Sequence, residues 1–254
     1  ASVRVNLFRP KGPATMRPAI LHIHGGGYVL GTADMTNAAN AATAQALDCV
    51  IASVDYRLAP ETPFPGPLED CYAALRWLHA SAKELGVDAR RVAVAGESAG
   101  AGLAAGLALL ARDRNDAPLC FQCLVYPMLD DRTNATNRSP YVGEFVWTAE
   151  SNVFGWSAYL GAPPGGAEIS QYAAPARAAD LRGLPPTFIN CGALDLFAEE
   201  DILYAHRLMM AGIATELHIY PGAFHGFPLA PGTQLAARAE RDRIDALRRA
   251  FKET

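Results

Sequence analysis

Short, almost continuous apolar runs alternate along the chain with stretches in which apolar residues recur every three or four positions. The first pattern is typical of strands covered on both faces, and the second is typical of amphipathic helices. The predicted strands are residues 3–8, 19–24, 50–55, 91–95, 121–126, 187–191 and 215–220. Because strands and helices alternate, the sequence predicts a doubly wound α/β fold, with a mostly parallel central sheet and helices on both faces.

The helical stretches differ in the width of their apolar surface. One has a single stripe with spacings of i, i+3, i+4, i+7 and i+10, formed by Leu68, Cys71, Tyr72, Leu75 and Leu78. Residues 98–111 are small and apolar almost all round, which predicts a buried helix. The last helix has one apolar face, formed by Ile244, Leu247 and Phe251.

Residues 128–186 interrupt the alternation of strands and helices. This segment is rich in Pro, Gly and Asn, and among its aromatic residues are Tyr141, Phe145, Trp147, Phe154, Trp156 and Tyr159. A stretch of this length between two core strands is often a lid or a binding insertion. We therefore expect it to form part of a cap and the wall of a pocket. The alternative is a peripheral helix with a small core of its own.

Composition narrows the class of protein. The chain has 254 residues, of which 50% are hydrophobic and 19% are charged, as in an ordinary globular domain. One domain over residues 1–254 is expected at this length. The net charge of −4 argues against a nucleic-acid partner. No apolar run approaches the 18 or so residues that a membrane span needs.

The five cysteines are scattered along the chain, which argues against a disulfide framework and favours a reducing, cytoplasmic location. Cys120 and Cys123 form a C-x-x-C pair. This pair could be a redox motif or half of a zinc site, or simply two small apolar residues of a buried strand. Because no second pair of metal ligands lies nearby, the last interpretation is favoured. The sequence thus predicts no metal and no cofactor.

The strongest chemical signal is the sequence Gly-Glu-Ser-Ala-Gly at residues 96–100. It follows a predicted strand and opens a predicted helix, the context of a nucleophile elbow. The turn is sharp and strained, so its flanking positions must be small, and Gly96 and Gly100 leave room for close backbone approach. Ser98 would then be exposed at the carboxyl edge of the sheet, above a helix N-terminus that favours negative charge.

A second signal is His24-Gly-Gly-Gly, directly after the second predicted strand. A tetrahedral intermediate needs hydrogen-bond donors aimed at its oxyanion, and backbone amides can approach only where no side chain crowds them. The amides of Gly26, Gly27 and Ala99 are the predicted donors. A phosphate loop is the alternative, but the Gly-Lys-Ser/Thr sequence of a Walker loop is absent.

The base that activates Ser98 should follow it in the chain, as should an orienting acid. Of the three later histidines, His206 falls in a helix and His218 in a strand, whereas His225 falls in a loop after a strand. Such a loop can reach an elbow serine, so His225 is the predicted base.

Asp195 follows the strand at residues 187–191 by a short turn and is the predicted acid, which would fix the tautomer of His225. Asp130 and Asp131 follow the preceding core strand and are the alternatives. Glu97 lies beside Ser98, but its side chain should point away from the pocket and serve a structural hydrogen bond.

These motifs together resemble the hormone-sensitive-lipase-like esterases, known in bacteria as family IV, which have the α/β-hydrolase fold. The resemblance rests on His24-Gly-Gly-Gly-Tyr, Asp55-Tyr-Arg-Leu-Ala-Pro-Glu, Pro63-Phe-Pro, Gly96-Glu-Ser-Ala-Gly, Asp195 and His225-Gly-Phe, and it runs through nearly the whole chain. It implies a carboxylesterase for short- to medium-chain esters that often works without metal or cofactor. It also supports Gly26, Gly27 and Ala99 as the oxyanion hole.

Three features depart from that family. Glu97 stands where the family usually has Asp, and Leu196-Phe197 follow Asp195 where Pro-Leu or similar is usual. Family members also carry a few dozen helical residues before the first strand, which form part of a cap. Only about two dozen residues precede His24, and they already show strand patterns, so we expect the N-terminal cap to be missing.

The expected function is hydrolysis of small-molecule carboxylic esters. An amidase or arylformamidase with the same triad is the alternative, because this triad also cleaves activated amides. Plant gibberellin receptors resemble the family but lack the catalytic histidine, so His225 argues against a ligand receptor. The strand at residues 215–220 should lie at a sheet edge, where a homodimer could form.

Overall fold

The computed structural model describes residues 2–12, 16–133, 140–230 and 232–252. Within these ranges a single sheet has seven strands: β1 Arg4–Phe8, β2 Arg17–Ile23, β3 Val50–Asp55, β4 Val87–Glu97, β5 Phe121–Val125, β6 Thr187–Gly192 and β7 Thr215–Tyr220. Their order is β1-β3-β2-β4-β5-β6-β7. β1 is antiparallel to β3, and all the other neighbours are parallel. The predicted α/β architecture is confirmed.

β4 is longer than the sequence predicts. It begins at Val87, which pairs with Arg17 across a register shift, rather than at residue 91. The sequence does not predict this extension, because the charged residues Asp88 and Arg90 interrupt the apolar run. Asp88 accepts hydrogen bonds from the side chains of Arg90 and Arg91, so the charges are paired beside the strand.

Helices cover both faces of the sheet. Those of the described chain are α1 Asn37–Leu47, α2 Gly66–Ala80, α3 Ala82–Leu85, α4 Ala99–Arg114, α5 Ala149–Leu160, α6 Ala198–Met210 and α7 Gln234–Ala250. α1 and α7 pack on one face, and α2, α4 and α6 contribute to the core on the other. The predicted stripe of α2 is buried, and α4 is buried from Ala99 to Ala111.

The sheet separates two hydrophobic cores, because successive side chains of a strand point to opposite faces. Leu21 and Ile23 of β2 pack toward α4, whereas Ile20 packs toward α1 and α7. All three are essentially inaccessible to solvent. Burial of each such side chain is worth about 1.5–3 kcal/mol, so the central strands provide a rigid platform for the loops at their carboxyl ends.

The segment at residues 128–186 contains α5, while residues 134–139 lie outside the described part of the chain. Thr148 caps the start of α5 by accepting a hydrogen bond from the amide of Ser151. Trp156 and Tyr159 are fully buried, and the ring of Tyr159 stacks on Tyr28 at 4.0 Å. The inner face of α5 therefore joins the main core rather than forming a core of its own.

Across the ranges that the structure describes, none of the helices combines the length and the apolar character needed to cross a membrane.

Candidate active site

Ser98 lies at the turn between β4 and α4. Its backbone has φ 55° and ψ −122°, a conformation that residues with a side chain rarely adopt. Such strain persists only where surrounding structure enforces it, and it is typical of functional positions. The turn presents Ser98 at the carboxyl edge of the sheet and at the N-terminus of α4, as the sequence predicts.

The two glycines of the elbow permit contacts that no side chain would allow. A Cβ atom on Gly100 would lie 2.2 Å from the carbonyl oxygen of Ile23, at the end of β2. A Cβ atom on Gly96 would lie 2.5 Å from the carbonyl of Gly100. Both separations are far below van der Waals contact, so the elbow can pack against β2 only with glycine at these positions.

A chain of hydrogen bonds connects the three side chains predicted to perform catalysis. The Oγ atom of Ser98 lies 2.9 Å from Nε2 of His225, and Nδ1 of His225 lies 2.8 Å from Oδ2 of Asp195. Asp195 is fully buried, and its other oxygen accepts the amide of Phe197 at 3.0 Å. In this arrangement Nδ1–H donates to the carboxylate, which leaves Nε2 free to accept the proton of Ser98.

The alternative histidines and acids have other surroundings. His206 is exposed on α6, and His218 on β7 lies 2.7 Å from Glu216. Asp130 accepts the guanidinium of Arg132. Asp131 is buried in an ion pair with Arg177 at 2.5 Å. The structure thus brings Ser98 together with His225 and Asp195 rather than with these residues.

Aromatic rings fix the position of His225. Tyr126 and Phe197 meet its ring edge-on, at centroid distances of 4.8 and 5.2 Å, and Trp147 lies at 6.4 Å. Packing of this kind restricts ring rotation, so His225 is held where it can contact both Ser98 and Asp195.

The glycine loop after β2 passes directly beside Ser98. A Cβ atom on Gly25 would lie 3.4 Å from the Cβ atom of Ser98. Gly26 has φ +122° and Gly27 has φ +59°, and a Cβ atom on Gly26 would lie 2.0 Å from the carbonyl oxygen of Leu30. The loop therefore requires glycine, and its backbone approaches the elbow at Glu97 and Ser98, the residues that precede Ala99.

His24 holds the shape of this loop. Its Nδ1 atom lies 2.8 Å from the carbonyl oxygen of Gly25, and its ring stacks on Tyr56 at 4.3 Å. The hydroxyl of Tyr56 donates to the carbonyl of His24 at 2.9 Å. Burial lowers the pKa of His24, which favours a neutral ring.

Glu97 makes the structural hydrogen bond that the sequence predicts. Its carboxylate lies 3.0 Å from Nε2 of His22, whose Nδ1 atom lies 3.0 Å from Oγ of the buried Ser53. Burial acts to raise the pKa of Glu97, but the adjacent His22 and the charge of Arg243 outweigh it, and the net shift is downward. Glu97 thus points into a polar network below the sheet edge, away from Ser98.

Two further acids, Glu200 and Asp201, lie on α6, which begins just after Asp195. Sequence reasoning missed both. Glu200 accepts the amide of Leu129 at 2.6 Å. Asp201 is fully buried beside the thiol of Cys191, which is a weak hydrogen-bonding partner. Burial raises the pKa of both carboxyls well above the ordinary range. The only sequence signal is a run of three acids, Glu199, Glu200 and Asp201, in the first turn of a predicted helix.

Sequence reasoning also left Trp147 among the aromatics of residues 128–186, with no link to the triad. Contact between Trp147 and the glycine loop depends on the path of a long connection, which no local pattern encodes. Over the described ranges, no three His, Cys, Asp or Glu side chains are arranged to hold a metal ion.

The chain is similar to known hydrolases in sequence and in structure. A sequence profile of the α/β-hydrolase fold matches residues 20–229. The carboxylesterase NlhH of Mycobacterium tuberculosis is 36% identical over 259 residues, which cover 98% of this chain and 79% of that protein. An ethyl acetate hydrolase of Pseudomonas putida is 32% identical over 226 residues, covering 88% of this chain and 70% of that protein.

Among solved structures, a bacterial heroin esterase superposes with a TM-score of 0.93 at 42% identity, covering 98% of this chain and 84% of that chain. The chain therefore belongs to the α/β-hydrolase fold family, and within it to the esterases that resemble hormone-sensitive lipase.

Proposed function

We propose that the protein is a carboxylesterase that hydrolyses short- to medium-chain esters through an acyl-enzyme. In this proposal Ser98 is the nucleophile, His225 is the general base and Asp195 orients His225. The observation that carries the proposal is the continuous hydrogen-bonded chain from Ser98 to Asp195, at 2.9 and 2.8 Å, beneath a strained elbow. The names of its relatives, which are carboxylic ester hydrolases, agree with it.

Acylation would begin when His225 takes the proton of Ser98 at Nε2 while Oγ attacks the ester carbonyl carbon. The carbonyl oxygen becomes an oxyanion, for which the amides of Gly26, Gly27 and Ala99 are the proposed donors. When the intermediate collapses, the bond to the alcohol breaks and His225 returns the proton to the leaving oxygen. The acyl group then remains on Ser98.

Deacylation repeats these steps with water. His225 takes a proton from a water molecule, which attacks the acyl-enzyme, and the carboxylic acid leaves as Ser98 regains its proton. The charge on the imidazolium is balanced in both halves by Asp195, which is fully buried and accepts hydrogen bonds from His225 and Phe197. The complete cycle consumes one water molecule and needs no other reactant.

A kinetic comparison of matched esters and amides tests this proposal against the amidase alternative. We expect ethyl and p-nitrophenyl acetates to be hydrolysed with kcat/KM at least 100-fold above the corresponding amides, and Ser98→Ala to abolish both activities. Faster cleavage of the amides, in particular of an N-formyl aniline, would assign the protein to the amidases instead.

We further propose that residues 128–186 wall the substrate pocket within a single catalytic domain over residues 1–254. Phe145 and Val146 of this segment are more than half exposed and lie against the loop that carries His225. A rim of exposed apolar side chains gives limited burial to an acyl chain, so a preference for short acyl groups is expected. Measured with p-nitrophenyl esters, kcat/KM should decline beyond medium chain length, and a preference for long-chain triglycerides would refute this.

We also propose a homodimer formed through β7. This strand ends the sheet order of the described residues, and α6 beside it exposes Ile202, Leu203, Met209 and Met210. An open strand edge together with an apolar stripe is typical of surfaces that pair with another copy.

A cytoplasmic location is proposed from the cysteines. Cys49, Cys71, Cys123 and Cys191 are buried thiols, and burial raises the pKa of Cys49 and of Cys123 to about 12. Cysteines that stay free of disulfides suit a reducing compartment. Cell fractionation that places the activity outside the cytoplasm would overturn this proposal.

A further inference from the structure

Residues 143–147, which we call the strap, cross the mouth of the active site and contact its acid loop, its histidine loop and its glycine loop. At one end, the amide of Gly143 donates to the carbonyl of Leu194, next to Asp195, at 3.1 Å. Phe145 then packs on Phe224, which precedes His225, at a ring distance of 5.6 Å. The other end of the strap, Trp147, reaches the glycine loop.

The indole ring of Trp147 lies directly over Gly27. A Cβ atom on Gly27 would lie 2.1 Å from Cη2 of this ring, so only glycine leaves space for it. The same end of the ring also meets Gly155 of α5, where a Cβ atom would lie 3.2 Å from Cζ2 and 2.8 Å from the carbonyl oxygen of Gly27. The ring thus packs against both the predicted oxyanion loop and α5 where these two segments meet.

A hydrogen bond fixes the orientation of this ring. Its Nε1–H group donates to Oδ1 of Asn152 at 3.1 Å, and Asn152 is fully buried and donates in turn to the carbonyl of Thr133. The preceding residue, Val146, has φ +65°, a strained conformation for a β-branched side chain. Strain of this kind persists where the surroundings impose it, and it indicates a wall that is held in place.

Trp147 also lies beside His225. Three aromatic rings surround this imidazole, and two of them, Tyr126 and Phe197, are at most 5% exposed. The ring of Trp147, at 6.4 Å, is partly exposed. It therefore borders the side from which a substrate approaches His225.

The chemistry of ester cleavage indicates which part of the substrate meets this ring. In the tetrahedral intermediate, the oxyanion points to the glycine loop and the leaving oxygen points to the proton donor, His225. A ring that spans from Gly27 to His225 borders both of these oxygens. The third bond of the carbon is to Oγ of Ser98, and the fourth, to the acyl substituent, points away from the ring.

We propose that Trp147 determines specificity for the alcohol portion of the ester, by excluding branched and cyclic alcohols from the space beside His225. This inference rests on the proposed esterase function. A pocket wall that excludes or admits one methylene group changes the ratio of kcat/KM between two substrates by roughly 10- to 200-fold. Removal of the ring should therefore change alcohol selectivity by about tenfold or more and leave acyl selectivity unchanged.

The test measures kcat/KM for two series of esters with wild type, Trp147→Ala and Trp147→Phe. One series varies the alcohol of an acetate from ethyl to cyclohexyl, and the other varies the acyl group of an ethyl ester from acetyl to hexanoyl. Trp77→Ala is the matched control, because Trp77 is a partly exposed tryptophan of α2. Thermal unfolding confirms that each variant folds.

For Trp147→Ala, we expect the ratio of cyclohexyl acetate to ethyl acetate to rise about tenfold or more, while the ratio of ethyl hexanoate to ethyl acetate stays within about twofold. Trp147→Phe should shift the alcohol ratio in the same direction by a smaller factor. If the alanine variant does not fold, the phenylalanine variant alone tests the proposal. Trp77→Ala should change neither ratio.

A change in the acyl ratio without a change in the alcohol ratio would overturn the assignment, as would no change in either. Failure of the underlying esterase proposal has a different signature, because wild type would then hydrolyse none of the esters in either series.

Discussion

At the scale of single residues, the candidate site depends on a few polar groups whose protonation and orientation are controlled by burial. His225 contacts Ser98 and Asp195 through opposite nitrogens, so one tautomer serves both hydrogen bonds. Asp195 accepts a second hydrogen bond from the amide of Phe197, which fixes its carboxylate. Loss of any one of the three side chains should therefore lower the rate, and the losses should not add because the three act as a unit.

Substitutions in the triad should reduce kcat in a characteristic order. Ser98→Ala should lower kcat by about 10⁶, as loss of the nucleophile does in a serine protease, and His225→Ala should be nearly as severe. Asp195→Asn should lower it by about 10⁴, because the amide favours the wrong tautomer. Asp130→Asn is the matched control and should leave kcat within about threefold. A large loss for Asp130→Asn with near wild-type rates for Asp195→Asn would move the acid to the loop after β5.

Asp201 gives rise to a pH-dependent stability. Because its pKa is raised in the folded state by burial and by the charge of Glu200, the native protein holds a proton that the unfolded chain releases above about pH 4. The stability associated with that proton is complete at low pH and is lost as pH rises. Asn resembles the protonated acid and does not titrate, so Asp201→Asn should stabilise the protein increasingly toward alkaline pH.

The measurement is thermal unfolding of wild type and Asp201→Asn between pH 4.5 and 8.5. The advantage of the variant in Tm should grow by at least about 2 °C over this range, which corresponds to about 1 kcal/mol in a domain of this size. Glu61→Gln, at an exposed position, should show no such trend. An advantage that shrinks as pH rises would contradict a protonated Asp201.

Residue chemistry was only partly predictable from the sequence. Ser98, His225 and Asp195 could be predicted because each lies at the end of a strand, and parallel strands bring such ends together. Asp201 and Trp147 could not, because their environments are created by packing between segments distant in the chain. Asp201→Asn tests the structural role of Asp201, and Trp147→Ala tests the role of Trp147 in specificity.

At the scale of elements, the elbow depends on the close approach of α4 to the end of β2. Gly100 permits that approach, since a Cβ atom would lie 2.2 Å from the carbonyl oxygen of Ile23 and 2.4 Å from that of His24. Both obstacles are backbone atoms of a central strand and its loop, which cannot move independently. The same glycine therefore links the stability of the fold to the position of the glycine loop.

Gly100→Ala should destabilise the protein by about 1–3 kcal/mol, as overpacking of a tight core does, and should also lower kcat by displacing the loop. Gly166→Ala is the matched control, because its Cβ atom would be 3.8 Å from the nearest side chain. That variant should remain within about 0.5 kcal/mol of wild type in urea unfolding. Equal stabilities for the two variants would show that α4 can shift without cost.

Element boundaries were predicted where the apolar pattern is clear and missed where charges interrupt it. Val50–Asp55 and Thr215–Tyr220 coincide with the predicted strands. The start of β4 did not, because Asp88 and Arg90 suggest a loop although their charges pair with each other. The sequence also could not exclude a separate core for α5. In the structure Trp156 of α5 packs against Tyr28 in the main core.

At the scale of the whole molecule, the proposed dimer makes a prediction about mass. β7 is the edge strand, and exposed Leu203 and Met210 lie on the adjacent α6. Sedimentation at micromolar concentration should give twice the chain mass, and Leu203→Lys with Met210→Lys should give the monomer. Met35→Lys alters an equally exposed methionine elsewhere and should stay dimeric. A monomeric wild type would reject the dimer.

The topology of the whole chain brings the glycine loop, the elbow, the acid loop and the histidine loop to one edge of the sheet, from the ends of β2, β4, β6 and β7. These strands are neighbours or near neighbours in the sheet although they span 200 residues of sequence. Assembly of these four segments at one edge should make Ser98 the single reactive serine of the molecule.

Stoichiometric labelling with an organophosphate tests whether Ser98 is the single reactive serine. Diethyl p-nitrophenyl phosphate should transfer one diethylphosphoryl group to Oγ of Ser98, with release of one p-nitrophenolate and parallel loss of esterase activity. Intact mass and peptide mass spectrometry should find one label per chain, on Ser98, absent in Ser98→Ala and greatly slowed in His225→Ala. A label on another residue, or esterase activity that survives full modification of Ser98, would contradict the account.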